Sequence, residues 1–181
     1  MTETSMAWDP ASCSSAAFSA RDNDEKWADK HWMNVPGPFY TGQTDNCWTG
    51  RLHAPRHVLY GGEFYNEFVY RQPGSREEVE SLVVAAEQDP FVGYAYDGDS
   101  RWTPEAVRSW WHERGRVREH VEALVVEWTA EGADSQEVEA AEGARDFLAY
   151  LAGDLEADLR AYIYRLEHGR YPDGGAQLPE L

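Results

Sequence analysis

The sequence has little cysteine, since Cys13 and Cys47 are the only two among 181 residues. Two thiolates cannot ligate a four-cysteine iron–sulfur cluster, and they leave a cysteine-rich zinc site short of ligands. Cysteine-poor chains are typical of reducing compartments, where thiols stay reduced. We therefore expect no cofactor and no metal centre.

Long apolar runs are also missing. Residues 82–86 form one of the longest, far below the about 20 residues that cross a bilayer as a helix. Residues 1–20 have neither the basic start nor the apolar run of a secretory signal peptide. We predict a cytoplasmic protein that does not bind membranes.

Basic residues are scarce, because 16 Lys and Arg stand against 33 Asp and Glu, for a net charge of −17. Residues 1–73 hold 9 acids and 6 bases, whereas residues 74–181 hold 24 acids and 10 bases. An acidic surface repels nucleic acid and anionic lipid and attracts basic proteins. The charge therefore favours an inhibitor or immunity-type partner of a basic protein. The alternative is that acidic helices simply keep the chain in solution.

The patterning predicts an α+β fold, with a small N-terminal antiparallel sheet packed on a C-terminal bundle of three or four helices. Residues 1–30 are small and polar, which indicates a flexible arm. We expect residues 31–181 to form a single α+β domain. Residues 57–60 and 67–70 are β-rich runs around Gly61 and Gly62, so they predict a hairpin.

Helix signals begin at Ser75, which with Glu78 forms a capping pair. This first helix should end at Asp89-Pro90. A second helix should start at Thr103-Pro104, with Gly115 as a weak point, and pack as a hairpin against a third that starts near Asp134. Gly153-Asp154 could split that third helix into two, and Gly169 is expected to end it.

The least ordinary segment is the aromatic, turn-rich loop over residues 32–48. Apolar rings around a few polar groups are typical of ligand pockets and of protein hot spots. The same rings could instead close one end of the core. The candidate ligand-binding residues are Trp32, Phe39, Tyr40, Asp45, Cys47, Trp48, His53 and His57. They support an alternative function, a small-ligand-binding protein or an enzyme.

Chemical motifs are otherwise weak. His53 and His57 are four residues apart, which puts them on one face of a strand, but no third ligand has metal-site spacing. Cys47 has no base beside it in sequence, so a structural thiol is the favoured interpretation. The acids Asp97 and Asp99 flank Gly98 and are typical of a turn. No catalytic residue is predicted.

Four segments carry a resemblance to a known group. They are residues 34–40 (Asn-Val-Pro-Gly-Pro-Phe-Tyr), 68–73 (Phe-Val-Tyr-Arg-Gln-Pro), 97–99 with Trp102-Thr103, and 178–181 (Leu-Pro-Glu-Leu). The chain resembles a family of short, mostly actinobacterial proteins, some of which carry the label ferredoxin. The two cysteines contradict that label, because they cannot hold a cluster. The resemblance implies no activity and no site residues.

Overall fold

In the computed structural model of the chain, Phe18 and residues 21–181 are described. Six α-helices and two small antiparallel sheets are found in this part of the chain, so the predicted α+β class is confirmed. Contacts divide the chain into two compact units, residues 1–100 and residues 101–181. Most of the predicted flexible arm, residues 1–17 with 19 and 20, lies outside the described residues.

All the strands described lie in the first unit, and they are short. β1 (Tyr40–Thr41) pairs with β4 (Tyr94–Ala95), and β2 (Val58–Gly61) pairs with β3 (Asn66–Val69). The β2–β3 pair is the predicted hairpin, with Val58 opposite Val69. Its turn is longer than the glycine pair suggests. It ends at Tyr65, which like Gly62 has a positive φ. The β1–β4 pair was not predicted, because two-residue strands have no periodicity to detect.

Three of the helices described belong to the first unit: α1 (Asn23–Ala28), α2 (Gly50–His53) and α3 (Arg76–Gln88). α1 begins after Asp22, whose side chain accepts the Asp24 N–H at 2.8 Å, and it lies within the segment predicted as a flexible arm. α3 has the predicted bounds, between Ser75 and Asp89.

α2 was not predicted, because Pro55 argues against a long helix there. The helix avoids the conflict by ending at His53. His53 lies in α2 and His57 lies in a turn before β2, so the prediction that the two share one face of a strand is wrong.

The core of the first unit joins strands, loops and α3. One cluster of this core contains the buried residues Phe18, Phe39, Ala54, Val58, Val69, Val79, Leu82, Ala85, Ala86 and Tyr94. Close backbone contacts accompany this packing. A Cβ built on Gly98 would come within 2.1 Å of the Gly37 carbonyl oxygen, so only glycine fits there.

The second unit consists of α4 (Pro104–Trp128), α5 (Ser135–Ala152) and α6 (Leu155–His168). α4 packs on α5 and α6, as predicted for the helical hairpin. Thr103 Oγ1 caps α4 and Asp134 caps α5 in a complete capping box with Glu137. α4 runs through Gly115 without a break, whereas the chain does break at Gly153. Gly169 ends α6 with φ of 71°, as predicted.

The helix lengths and polarities also bear on membranes. Among the described residues, every helix is either too short or too polar to span a bilayer.

Candidate functional site

The aromatic residues of the predicted loop serve mainly in the interior of the first unit. Phe39 and Tyr40 are buried, and the Tyr40 hydroxyl donates to Asp97 Oδ1 at 2.8 Å. The Tyr40 ring meets Trp27 edge-on, with ring centroids 5.1 Å apart. A fully buried ring with its hydroxyl already bonded contributes packing and orientation to the interior.

Trp32 and Trp48 are half-buried and lie against other rings. Trp48 stacks on Tyr60 with centroids 4.7 Å apart, and its backbone has a φ of 60°. Trp32 stacks on His31 at a centroid distance of 6.4 Å. Each tryptophan therefore packs against a neighbouring ring.

Cys47 is the exposed residue of the candidate set, and its surroundings disfavour nucleophilic chemistry. Its backbone N–H donates to Asp45 Oδ1 at 3.2 Å. The negative charge of that carboxylate raises the pKa of the Cys47 thiol, so the reactive thiolate is scarce at neutral pH. The buried Asp45 donates its own N–H to Asp89 Oδ1 at 3.0 Å.

His53 and His57 line two adjacent cavities beside α3. The first, which we call the polar cavity, has a volume of about 390 Å³ and is lined by residues 54–57, Ser75, Glu77, Glu78 and Ser81. The second, of about 350 Å³, is lined by Leu52, His53, Glu77, Glu80, Ser81 and Val84. The two share Glu77 and Ser81. The other six candidate residues do not contribute to either lining.

His57 is the buried wall of the polar cavity. Its side chain is 3% exposed, and Nδ1 lies 2.9 Å from the Arg71 carbonyl oxygen. Since a carbonyl only accepts, Nδ1 carries the proton and the neutral ring presents a lone pair at Nε2. Burial lowers the pKa of His57, which favours this neutral form. Within the described part of the chain, Nε2 has no hydrogen-bond partner.

Glu78 faces this lone pair and also caps α3. Its Oε1 lies 3.9 Å from His57 Nε2 and 3.3 Å from Arg56 Nη1, while Oε2 accepts the Gly74 N–H at 2.7 Å. The Ser75 Oγ accepts the Glu78 N–H at 3.2 Å, as the predicted capping pair requires. In a standard capping box this side chain would accept the N–H of the N-cap residue, Ser75. The Glu78 carboxylate accepts the N–H of Gly74 instead, one residue earlier in the chain.

Glu67 is a buried carboxyl that sequence reasoning missed. Its Oε1 accepts the Gly50 N–H at 2.7 Å at the start of α2, where Thr49 supplies no side-chain cap. Its Oε2 accepts from the Tyr94 hydroxyl. Burial raises the pKa of Glu67 to about 7, although both hydrogen bonds act in the opposite direction. No sequence signal marks this position, because its partners come from distant segments.

The second unit carries most of its negative charge at one end of the α4–α5 hairpin. Residues 119–142, which we call the acidic end, contain eight Asp and Glu and no Lys or Arg. Glu137 is half-buried, and the other seven acids are exposed: Glu119, Glu122, Glu127, Glu131, Asp134, Glu139 and Glu142. The excess of acids in the second half of the sequence is therefore concentrated at the end of α4, the start of α5 and the segment that connects them.

Two apolar side chains lie exposed within the acidic end. Val126 of α4 is 72% exposed and Val138 of α5 is 48% exposed. Single exposed valines are common on protein surfaces. These two are of interest because they lie within the segment that carries the eight acids. Each valine therefore places an exposed apolar group on a helix that also carries exposed carboxylates.

The comparisons with known proteins add no relative. No family model, curated protein or solved structure matches this chain significantly.

Proposed function

We propose that the chain is a cytoplasmic binding module whose partner is a basic protein, in the manner of an inhibitor or immunity protein. The observation that carries the proposal is the acidic end, with eight acids and no basic residue over residues 119–142. Oppositely charged surfaces accelerate encounter and suppress partners of the wrong charge.

The arrangement suits a protein partner better than a small cation. The acids are spread over the end of the α4–α5 hairpin instead of converging on one point. Seven of the eight are exposed to solvent. Val126 and Val138 add an apolar contact that a partner could desolvate. A basic surface that also carries apolar groups is the complement of this chemistry.

The proposal is tested by comparing two variants with equal charge. Glu122, Glu131 and Glu142 are changed to Gln in the first, and Glu63, Glu87 and Glu113 in the second. Each triple raises the net charge from −17 to −14. All six side chains are exposed, so neither variant should unfold.

The partner is first captured from the cytosol on the immobilised full chain and identified, and the purified partner is then titrated by calorimetry at two salt concentrations. We expect about tenfold weaker binding for the acidic-end triple, or on the order of 1.4 kcal/mol, and little change for the control triple. Binding should weaken as salt is raised. Equal loss in both triples, salt-insensitive binding, or the absence of any basic partner would refute the proposal.

A further inference from the structure

The polar cavity of the first unit is rich in hydrogen-bond acceptors. Its lining includes the acidic residues Glu77 and Glu78 and the serines Ser75 and Ser81. The basic side chain in the lining, Arg56, is 70% exposed and already lies 3.3 Å from Glu78 Oε1. A wall of this kind recognises a ligand that donates hydrogen bonds and carries positive charge.

His57 adds an acceptor that the folded chain leaves unused. Its Nε2 and Glu78 Oε1 are 3.9 Å apart, and both are acceptors, so neither can satisfy the other. A buried acceptor without a donor costs folding free energy, which a donor placed between the two atoms would recover. The charged groups facing His57 are Glu78, Arg56 and Arg71.

We propose that the polar cavity binds a primary ammonium group, from a free alkylamine or a lysine side chain. One N–H donates to His57 Nε2 and another to Glu78 Oε1. The ammonium nitrogen has three donors on one atom, which suits two acceptors at this separation. A small turn of the Glu78 carboxylate, which keeps Oε2 on the Gly74 N–H, admits the nitrogen to Nε2.

An anion fits the same cavity poorly. Two donors at this helix start are already bonded, since Ser75 Oγ accepts the Glu78 N–H and Glu78 Oε2 accepts the N–H of Gly74, just before α3. An anion would also face the carboxylates of Glu77 and Glu78. The polar cavity lies in the first unit and the acidic end in the second. The two proposals can therefore be tested separately.

The first experiment titrates the full chain while the ¹⁵N resonances of the His57 ring and of the Gly74 and Glu78 amides are followed by NMR. The probes are n-butylammonium chloride, the peptide acetyl-Ala-Lys-Ala-amide, and n-butyltrimethylammonium, which has the charge but no N–H. We expect saturable shifts with either or both of the first two, at millimolar concentration, and none with the third. Response to the peptide alone would identify a lysine side chain as the source.

Variants then test the contacts. Glu78→Gln keeps an oxygen that can accept the Gly74 N–H but removes the charge, so binding should weaken about tenfold or more. Glu87→Gln, on the exposed face of the same helix, is the matched control and should bind normally. If Glu78→Gln fails to fold, Arg56→Gln replaces it and should strengthen binding, because it removes a competing cation.

Three results would overturn the proposal. The first is no saturable shift of the His57 ring with either amine. The second is equal binding of the trimethylated probe. The third is unchanged affinity in Glu78→Gln or in Arg56→Gln.

Discussion

The first unit buries polar groups among loops, whereas the second unit buries mainly apolar side chains between helices. Nine of the ten buried polar or charged residues among the described residues belong to residues 1–100; the tenth is Arg165. Helices satisfy their own backbone groups, but the two-residue and four-residue strands of the first unit leave many for side chains to satisfy. The first unit therefore adds specific side-chain hydrogen bonds to its apolar core, whereas the second is held mainly by apolar packing between helices.

The largest expected effect comes from breaking a hub of the first unit. Asn34 Oδ1 accepts the N–H groups of Thr41 at 3.2 Å and Val69 at 2.9 Å, and Nδ2 donates to the Thr41 carbonyl at 2.7 Å. Asn34→Ala leaves the buried N–H groups of Thr41 and Val69 unpaired, although the Thr41 carbonyl keeps the His31 N–H, and should lower the free energy of unfolding by about 4 kcal/mol.

Chemical denaturation measures that loss, with amide exchange read separately in the two units. The exposed Asn46→Ala serves as the control and should cost under about 0.5 kcal/mol. A loss below about 1 kcal/mol in Asn34→Ala would contradict the dependence of the first unit on side-chain hydrogen bonds.

Glu67 predicts a pH dependence confined to the first unit. Its folded pKa is about 7 against an ordinary 4.5, so the folded chain holds a proton there that the unfolded chain has lost. The resulting stability is present below about pH 4.5 and is lost as pH rises to about 7, up to about 3 kcal/mol.

Glu67→Gln tests this by keeping an acceptor for Gly50 and a polar partner for Tyr94 without a titrating group. The difference in unfolding free energy between variant and parent should increase in favour of the variant from pH 5 to pH 8. A parallel pair of stability curves would show that Glu67 does not titrate in this range.

A smaller loss of stability is expected from filling the close backbone approach at Gly98 in the first unit. Gly98→Ala should lower the free energy of unfolding by about 2 kcal/mol, because its Cβ would meet the Gly37 carbonyl. Thermal unfolding and amide exchange in residues 21–100 measure the effect. Normal stability would mean that the close backbone approach is easily relaxed.

The smallest effect has the opposite sign and lies in the second unit. A Cβ on Gly115, within α4, meets no atom within 4 Å. Gly115→Ala should therefore raise the free energy of unfolding by about 1 kcal/mol, through helix propensity alone. A decrease in the melting temperature would contradict the open surroundings of this position.

The sequence predicts the second unit better than the first, because helix ends are encoded locally. Thr103-Pro104, Asp134 with Glu137, and Gly169 each mark a boundary within a few residues of chain. The α3 boundaries at Ser75 and Asp89 were predictable for the same reason. Gly115 shows that a single weak helix former does not predict a break, because the helix-forming residues around it keep the helix continuous.

The candidate site was harder to predict because it depends on distant segments. The aromatic loop was predicted to line a pocket, but Phe39 and Tyr40 are buried in the interior, and only folding brings α3 beside His57. The residues near Glu67 in sequence do not predict that its carboxyl caps α2 and accepts a hydrogen bond from Tyr94. Lone acids in strands gain their role from tertiary partners, which periodicity does not contain.

The buried Lys26 has a practical consequence for following the first unit. Its Nζ donates to the carbonyl oxygens of Phe18 at 2.6 Å and Tyr94 at 2.9 Å, and the residue is fully buried. Lys30 is the other lysine of the chain and is partly exposed. An acylating reagent should thus modify Lys30 in the folded chain and Lys26 only after the unit opens. Mass spectrometry of this pair reads the opening of the first unit without any engineered label.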